Sequence, residues 1–183
     1  SGNININDYV KWNANTILEL IASNNININA NISAYGKSSG ISINPNTTNQ
    51  NEKASGSGVF NLGSGVSIAL PNVSSSSSSS LVISGKPYTV INSLGTQGSI
   101  TGKDLQGMNG DLSKNYALGS SIDASTTLAW NGGAGFTPIA GDGTTGFNGN
   151  LNGLGNSIYN LNIRSDNTSV VGLVGTLNLN GTI

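Results

Sequence analysis

Eight carboxylates are the strongest candidates for chemistry in this chain: Asp8, Glu19, Glu52, Asp104, Asp111, Asp123, Asp142 and Asp166. Glycoside cleavage needs two of them on one face, about 5–10 Å apart. A chain that folds back on itself could bring Asp123 and Asp142 together, but no cluster of acids, lysines or arginines accompanies either. Histidine and cysteine are both absent. That removes imidazole and thiol catalysis, zinc sites and disulfides. A calcium site is the next possibility, because NGGAGFTP (131–138) and GDG (141–143) approach the glycine-rich calcium nonapeptide. That motif places an Asp two positions after its last glycine, where this chain has Thr137. The expectation is therefore no catalytic residue, no cofactor and no metal.

Two kinds of residue remain for binding or modification. Asn31, Asn46, Asn72, Asn167 and Asn180 each begin an Asn-x-Ser/Thr triplet, the acceptor pattern for N-glycosylation. Ser and Thr are so abundant that chance alone supplies that many triplets. Trp12, Tyr35, Trp130, Phe136 and Phe147 are the candidates for a sugar-stacking platform, since flat rings pack against apolar ligand faces. Trp130 and Phe136 flank a glycine-rich stretch and are the expected ligand contacts, against a packing role at the same place. Phe147 and Tyr159 lie within the repeat described next and are expected to pack.

Whatever positions these residues must be built from an unusual composition. Charged residues make up 8% of the 183, and the net charge is −1, against about 25% charged in ordinary globular domains. Wetting falls instead to 29 Asn, 27 Ser and 26 Gly. The apolar residues alternate regularly and can bury a core, which argues against disorder. With no basic stripe, nucleic acid is excluded as a partner. No apolar run reaches the roughly 18 residues of a transmembrane helix. There is no signal peptide, so the expectation is a mature segment or a fragment.

Repeats organise the chain. SGNININ at 1–7 returns as SNNININ at 23–29, and Leu18 and Leu20 return as Ile41 and Ile43. Near the other end, Phe147, Gly149 and Leu151 align with Leu173, Gly175 and Leu177, and Ile158 aligns with Ile183. These offsets imply a coil of about 22–26 residues. Within it the period is two, which places Ile and Leu on one face of short strands and Asn or Ser on the other. Asn also tolerates left-handed corners and can stack into amide ladders between coils. The predicted fold is all-β: a right-handed parallel β-helix (β-solenoid) spanning 1–183, with projecting loops at 44–58, 71–80 and 131–146. At the strand spacing of ~4.8 Å per coil, it would extend roughly 35–40 Å. Leu105, Met108 and Leu112 suggest one helix between Gly102 and Lys114. Strand-like sequence at both ends suggests a rod that continues in both directions.

From Tyr88 onward a particular order of motifs is present: YTVINSL, GKDLQGMNGDL, NYALGSSIDAS, Trp130-Asn131, GF at 135–136, PI at 138–139, FNGNLNGLGNSIYNLNI, and VGLVG at 171–175. This resembles the central region of filamentous-haemagglutinin-like adhesins of two-partner secretion systems, with their GLUG-type repeat. The resemblance implies a right-handed parallel β-helix, export through an outer-membrane transporter, and an extracellular role in adhesion or biofilm matrix. Host-cell receptors or exopolysaccharide would be the partners, with homotypic end-to-end contacts as a further one. The competing readings are a carbohydrate-active β-helix enzyme and a self-assembling extracellular filament subunit.

Overall fold

The computed structural model describes residues 2–47, 57–71, 81–164 and 170–183. It is an all-β protein with parallel sheets and two 3₁₀ segments, and it separates into two compact units. Unit 1 comprises residues 1–90 with 154–156, and unit 2 comprises 91–153 with 157–183.

Unit 1 runs through the same three-strand pass repeatedly. The first pass is β1 (Ile4–Ile6), β2 (Val10–Trp12) and β3 (Ile17–Ile21); the second is β4 (Ile26–Ile28), β5 (Ile32–Ala34) and β6 (Gly40–Asn44). The third is β7 (Phe60–Leu62), β8 (Ile68–Ala69) and β9 (Leu81–Ile83). Each strand pairs in parallel with its counterpart one pass on, in the register Ile4↔Ile26↔Phe60, Val10↔Ile32↔Ile68 and Leu18↔Ile41↔Leu81. β-Branched isoleucine suits this arrangement because its stiff side chain stacks on its own kind one strand away. Ile26, Ile28, Ile32, Ile41, Ile43, Ile68 and Leu81 are fully buried. The 22- and 23-residue offsets expected of the first repeat are present here. The second spacing is longer, 34 to 36 residues where hydrogen bonds link the β4–β7 and β5–β8 pairs.

The parallel pattern ends in a hairpin. β10 (Lys86–Ile91) turns back antiparallel on β9 through Ser84 and Gly85, both at positive φ (50° and 73°). That is the backbone of the tight turn whose twist matches two paired strands. Leu154–Asn156 completes the unit: the Leu154 carbonyl accepts from the Ile68 amide, and Asn156 Nδ2 donates to the Ile68 carbonyl.

Unit 2 has less regular structure and a more aromatic core. Its strands are β11 (Tyr116–Leu118), β12 (Ile122–Asp123), β13 (Leu151–Asn152) and β14 (Ile158–Tyr159), with parallel registers Tyr116↔Leu151 and Ile122↔Ile158. Single parallel bridges extend this pairing at Ile139↔Val174, Phe147↔Leu177 and Asn150↔Thr182, and one antiparallel bridge joins Gly135 to Ile163. Tyr116, Phe136, Phe147, Leu105, Met108, Ile122 and Ile139 form one buried cluster, with the Tyr116 and Phe147 rings 6.4 Å apart.

Five expectations are corrected here. The helix of 102–114 is a five-residue 3₁₀ turn, Gln106–Gly110. Its glycines are required by close packing, since a Cβ on Gly110 would lie 2.0 Å from the Ile100 carbonyl oxygen. The 25- and 26-residue offsets are not the register: Ile158 pairs with Ile122 and Phe147 with Leu177, and hydrogen bonds between passes span 35 and 36 residues. Leu177, expected to point inward, is 48% exposed. Residues 131–146 are not a simple projecting loop, because Phe136, Ile139 and Ala140 within them and Phe147 just after them are buried. The expected loop 44–58 begins as structure: Asn44 ends β6, and the Asn46 and Thr47 amides donate to the Asn24 and Ala22 carbonyls. Residues 48–56, and 72–80 of the expected loop 71–80, lie outside the described residues.

Candidate functional site

The outward face of unit 1 is a set of amide ladders. Because side chains alternate along a strand, turning the isoleucines of β1 and β4 and Phe60 and Leu62 of β7 inward points Asn5, Asn27 and Asn61 outward. Asn27 Nδ2 donates to Asn5 Oδ1 at 2.7 Å, and Asn61 Nδ2 donates to Asn27 Oδ1 at 2.8 Å. A second rung joins Asn29 Nδ2 to Asn7 Oδ1 at 2.9 Å. Other asparagines accept from a backbone amide one pass on: Asn3 from Asn25, Asn25 from Val59, Asn31 from Ser67, and Asn15 from Ser38, all at 2.9–3.1 Å. Unit 2 repeats the device, with Asn115 Oδ1 accepting from the Asn150 amide at 3.2 Å. A primary amide carries donor and acceptor without charge, so stacked copies satisfy one another. The expected ladders are present, and they hold one pass to the next.

Beside the ladders lies a patch that sequence reasoning only half identified. Tyr9 and Tyr35 are 51% and 60% exposed, and their hydroxyl oxygens are 3.0 Å apart. Lys11 Nζ sits 5.8 Å from the Tyr9 ring centroid. The register places this pair: Lys11 faces Ser33, so Tyr9 and Tyr35 meet diagonally across the two strands. Hydrogen bonds from Ser33 and then Tyr35, with a smaller contribution from the Lys11 charge, hold the Tyr9 phenol below its ordinary pKa. Tyr35 was named from sequence and Tyr9 was not. The missing signal was the 22-residue register combined with alternation, which puts both on one face.

The expected ligand contacts are used otherwise. Phe136 is buried, and Trp130 is half-buried against the same cluster; their rings stack at 6.4 Å and 20°. Their shared surface belongs to the core of unit 2. Trp12 is half-buried and donates Nε1 to the Thr16 carbonyl.

Asp104, Asp123 and Asp142 serve local turns, while Glu52 and Asp166 lie outside the described residues. Asp123 Oδ1 accepts from the Ser125 amide at 2.9 Å and from Asn160 Nδ2 at 3.2 Å. Asp142 accepts from the Thr144 amide and hydroxyl and from the Thr145 amide. These hydrogen bonds, the backbone ones foremost, depress both carboxyl pKa values. Asp104 is buried, accepting from the Ser99 and Thr101 hydroxyls and the Gly107 amide. Among the described residues no three acids gather where a metal could sit.

Of the glycosylation candidates, Asn72 and Asn167 lie outside the described residues. Asn31 is committed to the ladder, and its triplet partner Ser33 is buried within β5. Asn46 is half-buried at φ 52°, with a buried Oδ1 that has no hydrogen-bond partner. Asn180 is exposed next to the turn closed by the Gly181 amide and the Asn178 carbonyl. Asn46 also lines a cleft of about 610 Å³ within unit 1, together with Asn44, Thr47, Val59, Phe60 and Ser84. This is an uncharged lining that mixes amides and hydroxyls with the apolar side chains of Pro45, Val59, Val82 and Phe60.

No helix among the described residues is long and apolar enough to cross a membrane. No known family model matches the chain, and no solved structure matches it. A stretch of 70 residues, 37% of the chain, is 50% identical to halomucin of Haloquadratum walsbyi (strain DSM 16790 / HBSQ001). The chain covers 1% of the length of that protein.

Proposed function

We propose that this chain is a structural and adhesive segment of a secreted cell-surface filament, coiled as a right-handed parallel β-solenoid, and not an enzyme. The observation that carries the reading is the laddered register of unit 1. Each pass stacks apolar side chains inside, Ile4 on Ile26 on Phe60, and asparagine on asparagine outside. Such stacking extends one pass at a time and depends only on neighbours, which is the physics of a rod. Because amides and hydroxyls replace charges, the rod's cohesion is nearly independent of ionic strength, a useful property in an extracellular setting.

Two further facts support the surface role. The motif order from Tyr88 to Gly175 resembles filamentous-haemagglutinin-like adhesins with a GLUG-type repeat, whose route outward is an outer-membrane two-partner transporter. The 70-residue match is to a protein whose name is that of a mucin, and mucins work outside the cell. Host-cell receptor or exopolysaccharide is the contact we assign, with the uncharged 610 Å³ cleft at Asn44, Asn46 and Phe60 as the place for a neutral sugar face.

The test is adhesion by the purified chain. Beads coated with it should bind cells or immobilised exopolysaccharide, and a Phe60→Ser variant should bind less. Cleavage of any of those polysaccharides, lost in Asp123→Asn or Asp142→Asn, would overturn the reading in favour of an enzyme. Concentration-dependent fibres without adhesion would favour a self-assembling subunit.

A further inference from the structure

We infer that Tyr9 and Tyr35 form a site for oxidative cross-linking, where a peroxide-driven one-electron oxidant joins the first and second passes through an intramolecular dityrosine bond. The inference rests on four observations about unit 1. The two phenol oxygens are in hydrogen-bond contact at 3.0 Å, so the ring carbons next to them, which couple in such a reaction, are brought to the same place. Both rings are more than half exposed and open to an oxidant in solution. Neighbouring strands hold both partners, because Tyr9 precedes β2, Tyr35 follows β5, and the Tyr35 amide donates to the Trp12 carbonyl at 2.9 Å. A hydrogen bond from Ser33 to the Tyr9 hydroxyl, with the Lys11 ammonium 5.8 Å from the Tyr9 ring centroid, favours release of its proton.

The chemistry balances. Each phenol gives up one electron and one proton to become a phenoxyl radical. The two radicals couple through the ring carbons ortho to their oxygens, forming one C–C bond. The hydrogen on each coupled carbon then moves to the phenol oxygen, restoring both aromatic rings. Two electrons and two protons leave in total, and one hydrogen peroxide, turned over by a haem peroxidase, accepts them and becomes two waters.

Selectivity follows from the other tyrosines. The chain has five. Tyr88 and Tyr116 are buried, and Tyr159 is 48% exposed in unit 2. Only the Tyr9–Tyr35 pair among the described residues has two phenol oxygens in contact. A chain without cysteine has no disulfide route to a covalent tie between passes. The dityrosine would close a loop of 26 residues, restrict the unfolded chain as a disulfide does, and resist thiol reductants. This site is independent of the adhesive reading, since it needs only the geometry of the two passes.

The experiment treats the full chain, at dilution low enough to disfavour dimers, with hydrogen peroxide and a haem peroxidase. We expect blue dityrosine fluorescence, a monomer lighter by two hydrogens, and a proteolytic fragment joining the peptides that carry Tyr9 and Tyr35. Tyr35→Phe should abolish the monomeric product with the β-structure unchanged by circular dichroism, whereas Tyr159→Phe should leave the yield unaltered. The cross-linked monomer should unfold at a higher temperature than the untreated one. Only cross-linked dimers, an unmodified monomer, or a monomeric product that survives Tyr35→Phe would each overturn the inference.

Discussion

Asn27 occupies the middle rung of the amide ladder, and its replacement measures what the ladder contributes. Asn27 donates to Asn5 and accepts from Asn61, whereas Asn5 and Asn61 each share one bond of that stack. A net hydrogen bond is worth about 1 kcal/mol. Asn27→Ala therefore loses about 2 kcal/mol, and Asn5→Ala or Asn61→Ala about 1 kcal/mol each. In the double variant Asn5→Ala/Asn27→Ala the shared bond is counted once, so its cost falls about 1 kcal/mol short of the sum of the single costs. Asn27→Asp is a stricter probe. Its carboxylate can accept from Asn61 but faces the acceptor Oδ1 of Asn5, so it should be less stable than Asn27→Ala at neutral pH and recover when acid protonates it. Urea unfolding followed through Trp12 fluorescence reads unit 1, which contains the ladder, while Trp130 reads unit 2. If Asn27→Ala cost no more than Asn5→Ala, or if Asn27→Asp failed to recover in acid, the ladder would not be holding the passes together.

Other outcomes follow from unit 2. Phe136→Ala should destabilise by about 3–5 kcal/mol, the ordinary cost of emptying a buried aromatic site, and leave any sugar binding unchanged; a stable variant that lost binding would restore Phe136 as a ligand contact. Gly135 has φ 92°, and a Cβ there would meet the Asn162 carbonyl oxygen at 2.2 Å. Gly135→Ala should therefore melt lower by several degrees, and an unchanged melting temperature would refute the Gly135–Asn162 packing. Burial raises the Tyr116 phenol pKa far above its usual 10.0, with the Asp111 charge adding to the shift. The unfolded chain then gives up this proton first as pH rises, so the stabilising effect is complete below pH 10 and is lost above it. Tyr116→Phe also loses a hydrogen bond to the Asp111 carbonyl, worth about 1 kcal/mol near neutrality. Urea titrations from pH 8 to 12 should show a shallower alkaline loss in Tyr116→Phe than in the parent chain, and parallel curves would refute the assignment.

How much was legible in the sequence differs between the two units. In unit 1 the first strands of the first two passes, β1 and β4, are written in strict alternation of Ile and Asn, and a one-residue slip would expose their isoleucines. The offsets 22 and 23, the inward isoleucines and the ladders could therefore be read directly. In unit 2 the strands are two or three residues long, and several pairs are single bridges. The shared pattern of FNGNL and LVGTL is only the local alternation that any two strands have, so it carried no register. The true register also slips by two residues between Phe147↔Leu177 and Asn150↔Thr182. The glycine-rich stretch at 131–146 reads as a loop by composition, yet its glycines let Phe136 and Ile139 approach the core closely. Tyr9 escaped notice because an exposed tyrosine has no signature until the strand opposite it is known.

Backbone nuclear Overhauser contacts in the isotopically labelled chain test the parallel register most directly. The account predicts parallel-type contacts linking Ile4 to Ile26 and Ile26 to Phe60 in unit 1, and Ile122 to Ile158 in unit 2, with antiparallel contacts at the Ile83–Lys86 hairpin and the Gly135–Ile163 bridge. Antiparallel α-proton pairs at Ile4–Ile6 or Ile26–Ile28, or no contact between residues 22 and 34 positions apart, would contradict it.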